Sequence, residues 1–308
     1  VAGNKKLNGR LSASLGNGSI IGQKFDSGAV STAVNNNHIF IEKVQLSRGD
    51  GLISMAGEAS EEGKLSLTLN SRGLNASQVT LFEENKLPAY SDIDLLLFIG
   101  GSIETPMLNG RMRLSDTKYS KIQLPPSIVT VVSDEKAIHV NGNLYNSQAS
   151  FGWTINMTDE YPFRFWAELD KIGLHTYLLP GLTEKGEARS ALSGSAVFFG
   201  SMEKPEKIRG VVRIDEAKAE LGPLKTASPR PMIFNFKEGR LYFEDVALAG
   251  QDLALQMNGS LPLRKEEKLS LFARGNMKLG WINQLGVEGF SLNGDLGFDA
   301  SIGGGLKD

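Results

Sequence analysis

The sequence has no cysteine, only three histidines, no surplus of charge of either sign and no long hydrophobic run. Each absence removes a class of function. Without cysteine there is neither thiol chemistry nor a Cys-based metal site. The histidines, His38, His139 and His175, lie far apart, with no second histidine four residues on and no HExxH, so they are expected on strand surfaces or in loops, and no metal site is expected. Thirty-three Lys and Arg against 35 Asp and Glu leave a net charge of −2; a nucleic-acid binder carries a basic surplus, so no nucleic-acid partner is expected. No apolar stretch reaches the ~18 residues of a spanning helix, and the longest clean one, Ile93 to Ile99, is interrupted by Asp94.

What is present is alternation. Leu65, Leu67 and Leu69 are separated by Ser66 and Thr68; Phe151, Trp153, Ile155 and Met157 by Gly152, Thr154 and Asn156. Phe163, Phe165, Ala167 and Leu169 form another such set, as do Leu253, Leu255 and Met257. Period two marks strands with one dry and one wet face. Helical periodicity is confined to short stretches near 76–84, 173–190 and 279–286. The expected fold is therefore all-β. With few helices to cover it, the sheet must cover its own apolar face by stacking or curling.

Glycine is abundant: 35 of 308 residues, against roughly 7% in an average protein. Asn-Gly occurs at 8–9, 17–18, 109–110, 141–142, 258–259 and 293–294, and its default reading is a two-residue hairpin turn. Residues flanking such a turn share a face. Only at 17–18 do they match, Leu15 facing Ile20. At the other five an apolar residue would face a polar one, as Leu108 would face Arg111 and Met257 would face Ser260. Running straight through as strands, these five place glycine on the apolar face, as in Leu108-Gly110-Met112-Leu114 and Leu292-Gly294-Leu296-Phe298. Gly57, Gly194 and Gly210 share that phase without Asn. Eight strands with glycine on the dry side predict a sheet bent along one line with its apolar face inside.

The landmarks repeat at about one hundred residues. Gly101-Ser102-Ile103-Glu104-Thr105-Pro106, followed by Gly110, returns as Gly200-Ser201-Met202-Glu203-Lys204-Pro205, followed by Gly210. Leu192-Ser193-Gly194 returns as Leu292-Asn293-Gly294, and Lys64-Leu65-Ser66-Leu67 as Lys268-Leu269-Ser270-Leu271. The expected organisation is one β-groove over 1–308, with units near 1–100, 101–199 and 200–302 and a further unit beginning at 303–308. The pattern runs to the last residue, as expected of a segment of a longer chain. The Gly-x-apolar-x-x-Pro-x-apolar-x-Gly string at Gly101–Gly110, its looser copy at Gly200–Gly210, and Leu192-Ser193-Gly194 before it resemble the repeats of the TamB family, the bacterial translocation and assembly modules of the wider AsmA-like group. The resemblance implies an elongated curled sheet, a β-taco with an apolar groove. It further implies a periplasmic location in a Gram-negative bacterium, a parent protein anchored in the inner membrane, and an outer-membrane barrel partner reached through that parent. Roles in phospholipid transport, protein secretion and outer-membrane biogenesis are implied with it.

Catalytic constellations are not announced. Ser-x-x-Lys at Ser115–Lys118, Ser133–Lys136 and Ser201–Lys204 lacks the helix start and partner motifs that acyl transfer needs. Gly16-Asn17-Gly18-Ser19-Ile20-Ile21-Gly22 has the wrong spacing for a dinucleotide loop. The pairs Glu61-Glu62, Glu83-Glu84, Asp134-Glu135 and Glu266-Glu267 are adjacent carboxylates, which point apart on strands and are solvated in loops. No enzyme and no cofactor is expected. The expected function is shielding of phospholipid acyl chains by a groove lined by Leu65, Leu67, Leu69, Leu114, Val140, Leu144, Trp153, Ile155, Phe163, Phe165, Phe243, Leu255 and Met257. Trp166, out of phase with Phe163 and Phe165, is expected to face outward. The rival readings are a structural or adhesive β-solenoid of a secreted passenger domain, a chaperone-like groove for unfolded β-strands, and a polysaccharide-active enzyme on a β scaffold.

Overall fold

The computed structural model describes residues 7–20, 22–80, 89–119, 122–173, 188–222, 224–262, 268–280 and 293–305. The chain is almost all β, with 76% of residues in strands against roughly 20–25% in an average protein. Twenty-one strands form one antiparallel sheet, and two more form a separate hairpin. The chain divides into two compact units, Val1–Ser147 with Thr154–Met157, and Gln148–Trp153 with Thr158–Asp308.

The first unit holds β1 (Gly9–Leu15), β2 (Gly18–Ile20), β3 (Gln23–Phe25), β4 (Ser27–Asn35), β5 (His38–Arg48), β6 (Gly51–Ala59), β7 (Leu65–Arg72) and β8 (Leu74–Asn75). After a 3₁₀ turn at Ala76–Gln78 follow β9 (Ala89–Gly101), β10 (Pro106–Tyr119), β11 (Ile122–Gln123), β12 (Ser127–Ser133) and β13 (Ala137–Leu144). Strand β14 (Ala149–Asn156) is shared between the units. The second unit continues with β15 (Pro162–Ile172), β16 (Ala188–Ser201), a 3₁₀ turn at Pro205–Lys207, β17 (Arg209–Leu221), β18 (Leu224–Ala227), β19 (Met232–Lys237), β20 (Arg240–Gly250), β21 (Leu253–Pro262), β22 (Lys268–Lys278) and β23 (Asp295–Gly305).

Neighbouring strands are mostly consecutive in the chain, and their register carries the alternation from strand to strand. In the first unit one row runs Ala13, Val30, Val44, Met55, Leu69, Leu97, Gly110, Val131, Val140, each directly opposite the next. In the second, a row runs Ala167, Ala196, Val212, Phe234, Phe243, Gly259, Leu271, Ile302. A one-residue slip of any strand would move its apolar set to the wet side, so the dry face fixes the register.

The hairpin turns depart from expectation. Asn17-Gly18 does not close a hairpin: Leu15 pairs with Gly28 on β4, and Gly18 opens β2. Pairing with β4 puts Leu15 on the apolar face, in line with Gly28, Leu46 and Ile53. The β2–β3 hairpin reverses instead at Gly22, with φ of 78°. The two-residue turns are made elsewhere. Asn36-Asn37 joins β4 to β5 with φ of 49° and 66°, and Glu238-Gly239 joins β19 to β20 with φ of 54° and 72°. Positive φ at both central residues is the type I′ geometry that matches strand twist.

Seven of the eight expected glycines do sit in strands on the apolar side: Gly9, Gly57, Gly110, Gly142, Gly194, Gly210 and Gly259 lie opposite Val34, Leu67, Leu97, Val129, Leu169, Phe198 and Leu271. Gly294 does not, because β23 begins one residue later. Of the expected helices, the first is a 3₁₀ turn at Ala76–Gln78, capped by the Asn75 side chain, with 81–84 outside the described residues. Residues 188–190 of the second are strand, since β16 starts there, and 174–187 lie outside the described residues. Residues 281–286 of the third also lie outside them.

Two of the repeated sequence blocks occupy matching places; of the third, Leu192-Ser193-Gly194 lies in β16, whereas Leu292 is outside the described residues and Asn293-Gly294 precede β23. Gly101–Gly110 spans the turn from β9 to β10, and Gly200–Gly210 that from β16 to β17. Strands β9, β16 and β23, every seventh, start at Ala89, Ala188 and Asp295. The two Lys-Leu-Ser-Leu copies reproduce one contact. Gly57, at φ of 141°, lies so close to β7 that a Cβ there would stand 2.0 Å from the Ser66 carbonyl oxygen. Gly259, at φ of 146°, meets the Ser270 carbonyl on β22 in the same way, at 2.2 Å. Only glycine reaches this conformation without strain and allows this approach.

Candidate functional site: the apolar sheet faces

All thirteen expected groove residues fall on the apolar side of their strands. In the first unit Leu65, Leu67 and Leu69 face Ala59, Gly57 and Met55 across the β6–β7 ladder. Leu114 lies opposite Ile93, and Val140 opposite Val131, with Leu144 further along β13 in the same phase. Ile155 continues the alternation of β14. In the second unit Trp153 meets Phe163 edge-on at 6.2 Å. Phe165 stacks on Phe151 at 6.2 Å and lies opposite Phe198. Phe243 lies opposite Phe234, Met257 opposite Val246 and Leu255 opposite Leu248.

These faces are only partly filled. None of the large side chains described is fully buried. Of the thirteen, only Phe243, 6% exposed, counts as buried; the rest are half-buried. Where burial is achieved, it is local. In the first unit Leu74, Ala76 and Ile93 are buried beside the 3₁₀ turn, with Ile53, Val79, Met112 and Leu114 against them. The β2–β3 hairpin is tied to this end: Gln23 Nε2 donates to the Gln78 carbonyl at 3.0 Å, and the Thr80 amide donates to Gln23 Oε1 at 3.1 Å. In the second unit Met232, Phe243 and Val246 are buried at the bulge that shifts β20 against β21.

Sequence reading missed how glycine and aromatic rings combine. Phe198 on β16 and Phe236 on β19 touch at 5.9 Å across β17, over Gly210. A Cβ on Gly210 would stand 2.3 Å from Phe198 Cδ1. With Phe151–Phe165 and Phe165–Phe198 contacts of 6.2 and 6.3 Å, a chain of rings crosses the second unit. Ring pairs at these separations are favourable beyond their area. The apolar-x-Gly-x-apolar phase was the signal for it. Trp166 is on the other face, 37% exposed, its indole over Gly152, where a Cβ would stand 2.2 Å from Trp166 Nε1. Trp153 Nε1 is buried without a partner.

Among the described residues, the candidate chemical groups are engaged in turns and ion pairs and are not brought into a catalytic arrangement. Ser201 Oγ accepts from the Lys204 amide at 3.2 Å and donates to the Glu160 carbonyl at 2.6 Å, while Lys204 Nζ pairs with the Glu160 carboxylate. That ion pair holds the Glu160 carboxyl below its ordinary value and raises the Lys204 ammonium. Ser133 Oγ accepts from the Leu108 amide at 2.7 Å. Asp134 is held low by the Lys136 and Ala137 amides, which cap its turn. Glu62 pairs with Lys64 at 3.3 Å in a solvated turn; Glu83, Glu84, Glu266, Glu267 and His175 lie outside the described residues. His139 Nδ1 lies 3.2 Å from Thr154 Oγ1. Among the described residues no three metal-ligating groups cluster.

No known protein family, no curated protein and no solved structure matches this chain.

Proposed function

We propose that the chain is a segment of a cell-envelope bridge protein whose apolar sheet faces shield phospholipid acyl chains in transit between membranes. The observation that carries this reading is the half-exposed state of aligned apolar rows: a stack of Leu, Val, Met and Phe side chains in register, none of the large ones fully buried. Apolar surface in water costs roughly 25 cal/mol per Å². An acyl chain laid across the strands would relieve it without any directional bond, and the reading therefore requires no catalytic residue, metal or cofactor. Contiguous apolar area beyond a few hundred Å² on a monomer marks a binding surface.

The repeat spacing and the resemblance to the TamB family favour phospholipid over the rival readings, and with it a periplasmic location and a role beside an outer-membrane barrel partner. A secreted β-solenoid has repeats of ~20–30 residues and a closed interior. An unfolded β-strand would bind along a sheet edge by backbone hydrogen bonds, a mode that makes no use of the apolar rows. The test is organic extraction of the purified chain followed by mass spectrometry. Phospholipid in stoichiometric amount, lost when Leu67 and Leu69 are both changed to Asp, is the expected result; a lipid-free chain that stays folded and takes up none from micelles would refute the reading.

A further inference from the structure

The wet face of the second unit carries an arrangement that acyl-chain shielding does not use. Across β15, β16, β17, β19 and β20, one row on this face reads Arg164, Phe199, Arg209, Lys237, Arg240. Arg164 lies opposite Phe199, Phe199 opposite Arg209, and Lys237 opposite Arg240; Arg209, one residue beyond the Gly210–Phe236 pair, falls in line with Lys237. Four of five positions are cationic on a chain whose net charge is −2. Arg164 and Arg209 have no ion-pair partner among the described residues, and Lys237 Nζ sits 5.0 Å over the Tyr242 ring. The adjacent row reads Trp166, Val197, Val211, Asn235, Tyr242. Phe199 is 52% exposed, Val211 43% and Trp166 37%. The carboxylates at this end, Asp159, Glu160, Glu203, Glu206 and Glu238, belong to turns beyond the cationic row, Glu160 pairing with Lys204 and Lys207, and Glu168 and Glu244 lie on the same face one row past the aromatic band.

We infer that this face docks on the surface of an anionic phospholipid bilayer. Strands ~4.8 Å apart present a band of cations beside a band of aromatic and aliphatic side chains. That pairing fits a membrane interface, where phosphates meet guanidinium groups and Trp, Tyr and Phe enter the headgroup region. A second copy fits worse: a two-fold interface would set the cationic row against itself. The inference is independent of what the apolar face holds, and the two are tested by different readouts.

The experiment is cosedimentation of the 308-residue chain with phosphatidylcholine vesicles, with and without a third of phosphatidylglycerol. Binding to the anionic vesicles alone, weakening as salt rises, is expected. R164Q/R209Q should lower partitioning by about fivefold per cation removed, R164K/R209K should restore it, and F199S should lower it while leaving the salt slope unchanged. Acyl-chain labelling of the apolar face should not change in any of these variants. Equal binding to neutral vesicles, binding indifferent to R164Q/R209Q, or no binding to either vesicle would overturn the inference. So would self-association, or capture of an acidic protein in place of vesicles, abolished by the same substitutions.

Discussion

The two units use the same alternation to build apolar faces of different texture. The first is aliphatic, a row of Val, Met and Leu from β4 to β13, and its buried residues gather at one end beside the 3₁₀ turn. The second is aromatic, with ring-to-ring contacts from Phe151 to Phe236 and a buried cluster at the β20 bulge. What they share is backbone: the glycine that meets a Lys-Leu-Ser-Leu strand at Gly57 and again at Gly259. The difference teaches that sheet geometry here is set by glycine, while the lining is free to vary so long as it stays apolar.

The largest expected effect tests what is shared. Gly57→Ala and Gly259→Ala each force a Cβ into a carbonyl at positive φ, and each should cost about 3 kcal/mol. Equal losses in denaturant unfolding would establish one repeated device; a loss at only one site would show that the units differ in backbone as well as in lining.

The texture itself is tested next. Phe243→Ala should cost about 3 kcal/mol and Leu69→Ala about 1.5 kcal/mol, because Phe243 is buried and Leu69 half-buried. Equal costs would mean that the aliphatic face is as tightly packed as the aromatic cluster. Trp153→Phe keeps the ring against Phe163 and removes an unpartnered N–H, so it should change stability by less than about 1 kcal/mol. A larger loss would reveal a partner for Nε1.

The smallest effect is on pH. Glu160 is depressed chiefly by its hydrogen bond to Lys204. Its contribution is complete above the ordinary value of 4.5 and is lost as pH falls below it through the depressed folded value. Lys204 is raised, so its contribution is complete below 10.5 and lost as pH rises through the elevated folded value. Glu160→Gln should flatten the acid limb of the melting profile slightly. In the first unit Asp134, depressed by backbone amides, should keep its acid sensitivity in that variant.

The strand content, the dry face and seven of eight glycine positions were legible because period two and glycine phase are local signals. The turns were less so. Asn-Gly is the strongest hairpin signal in isolation, yet at Asn109-Gly110 the neighbours demand a strand, and the turns fell to Asn36-Asn37 and Glu238-Gly239. At Asn17-Gly18 the flanking match of Leu15 with Ile20 was outweighed by the apolar row on β4, a long-range choice invisible to local phase. The ring chain across Gly210 depends on three strands at once, and only their register reveals it.

The central claim is that the apolar faces hold acyl chains. Photo-crosslinking residues placed at Leu69 and Phe165, and at their wet-face counterparts Asn70 and Ser195, test it most directly with the neutral phospholipid phosphatidylcholine present, which keeps this readout apart from docking of the cationic face on anionic bilayers. Lipid adducts at Leu69 and Phe165 with none at Asn70 and Ser195 are predicted; equal labelling of the two faces, or none at Leu69 and Phe165, would contradict it.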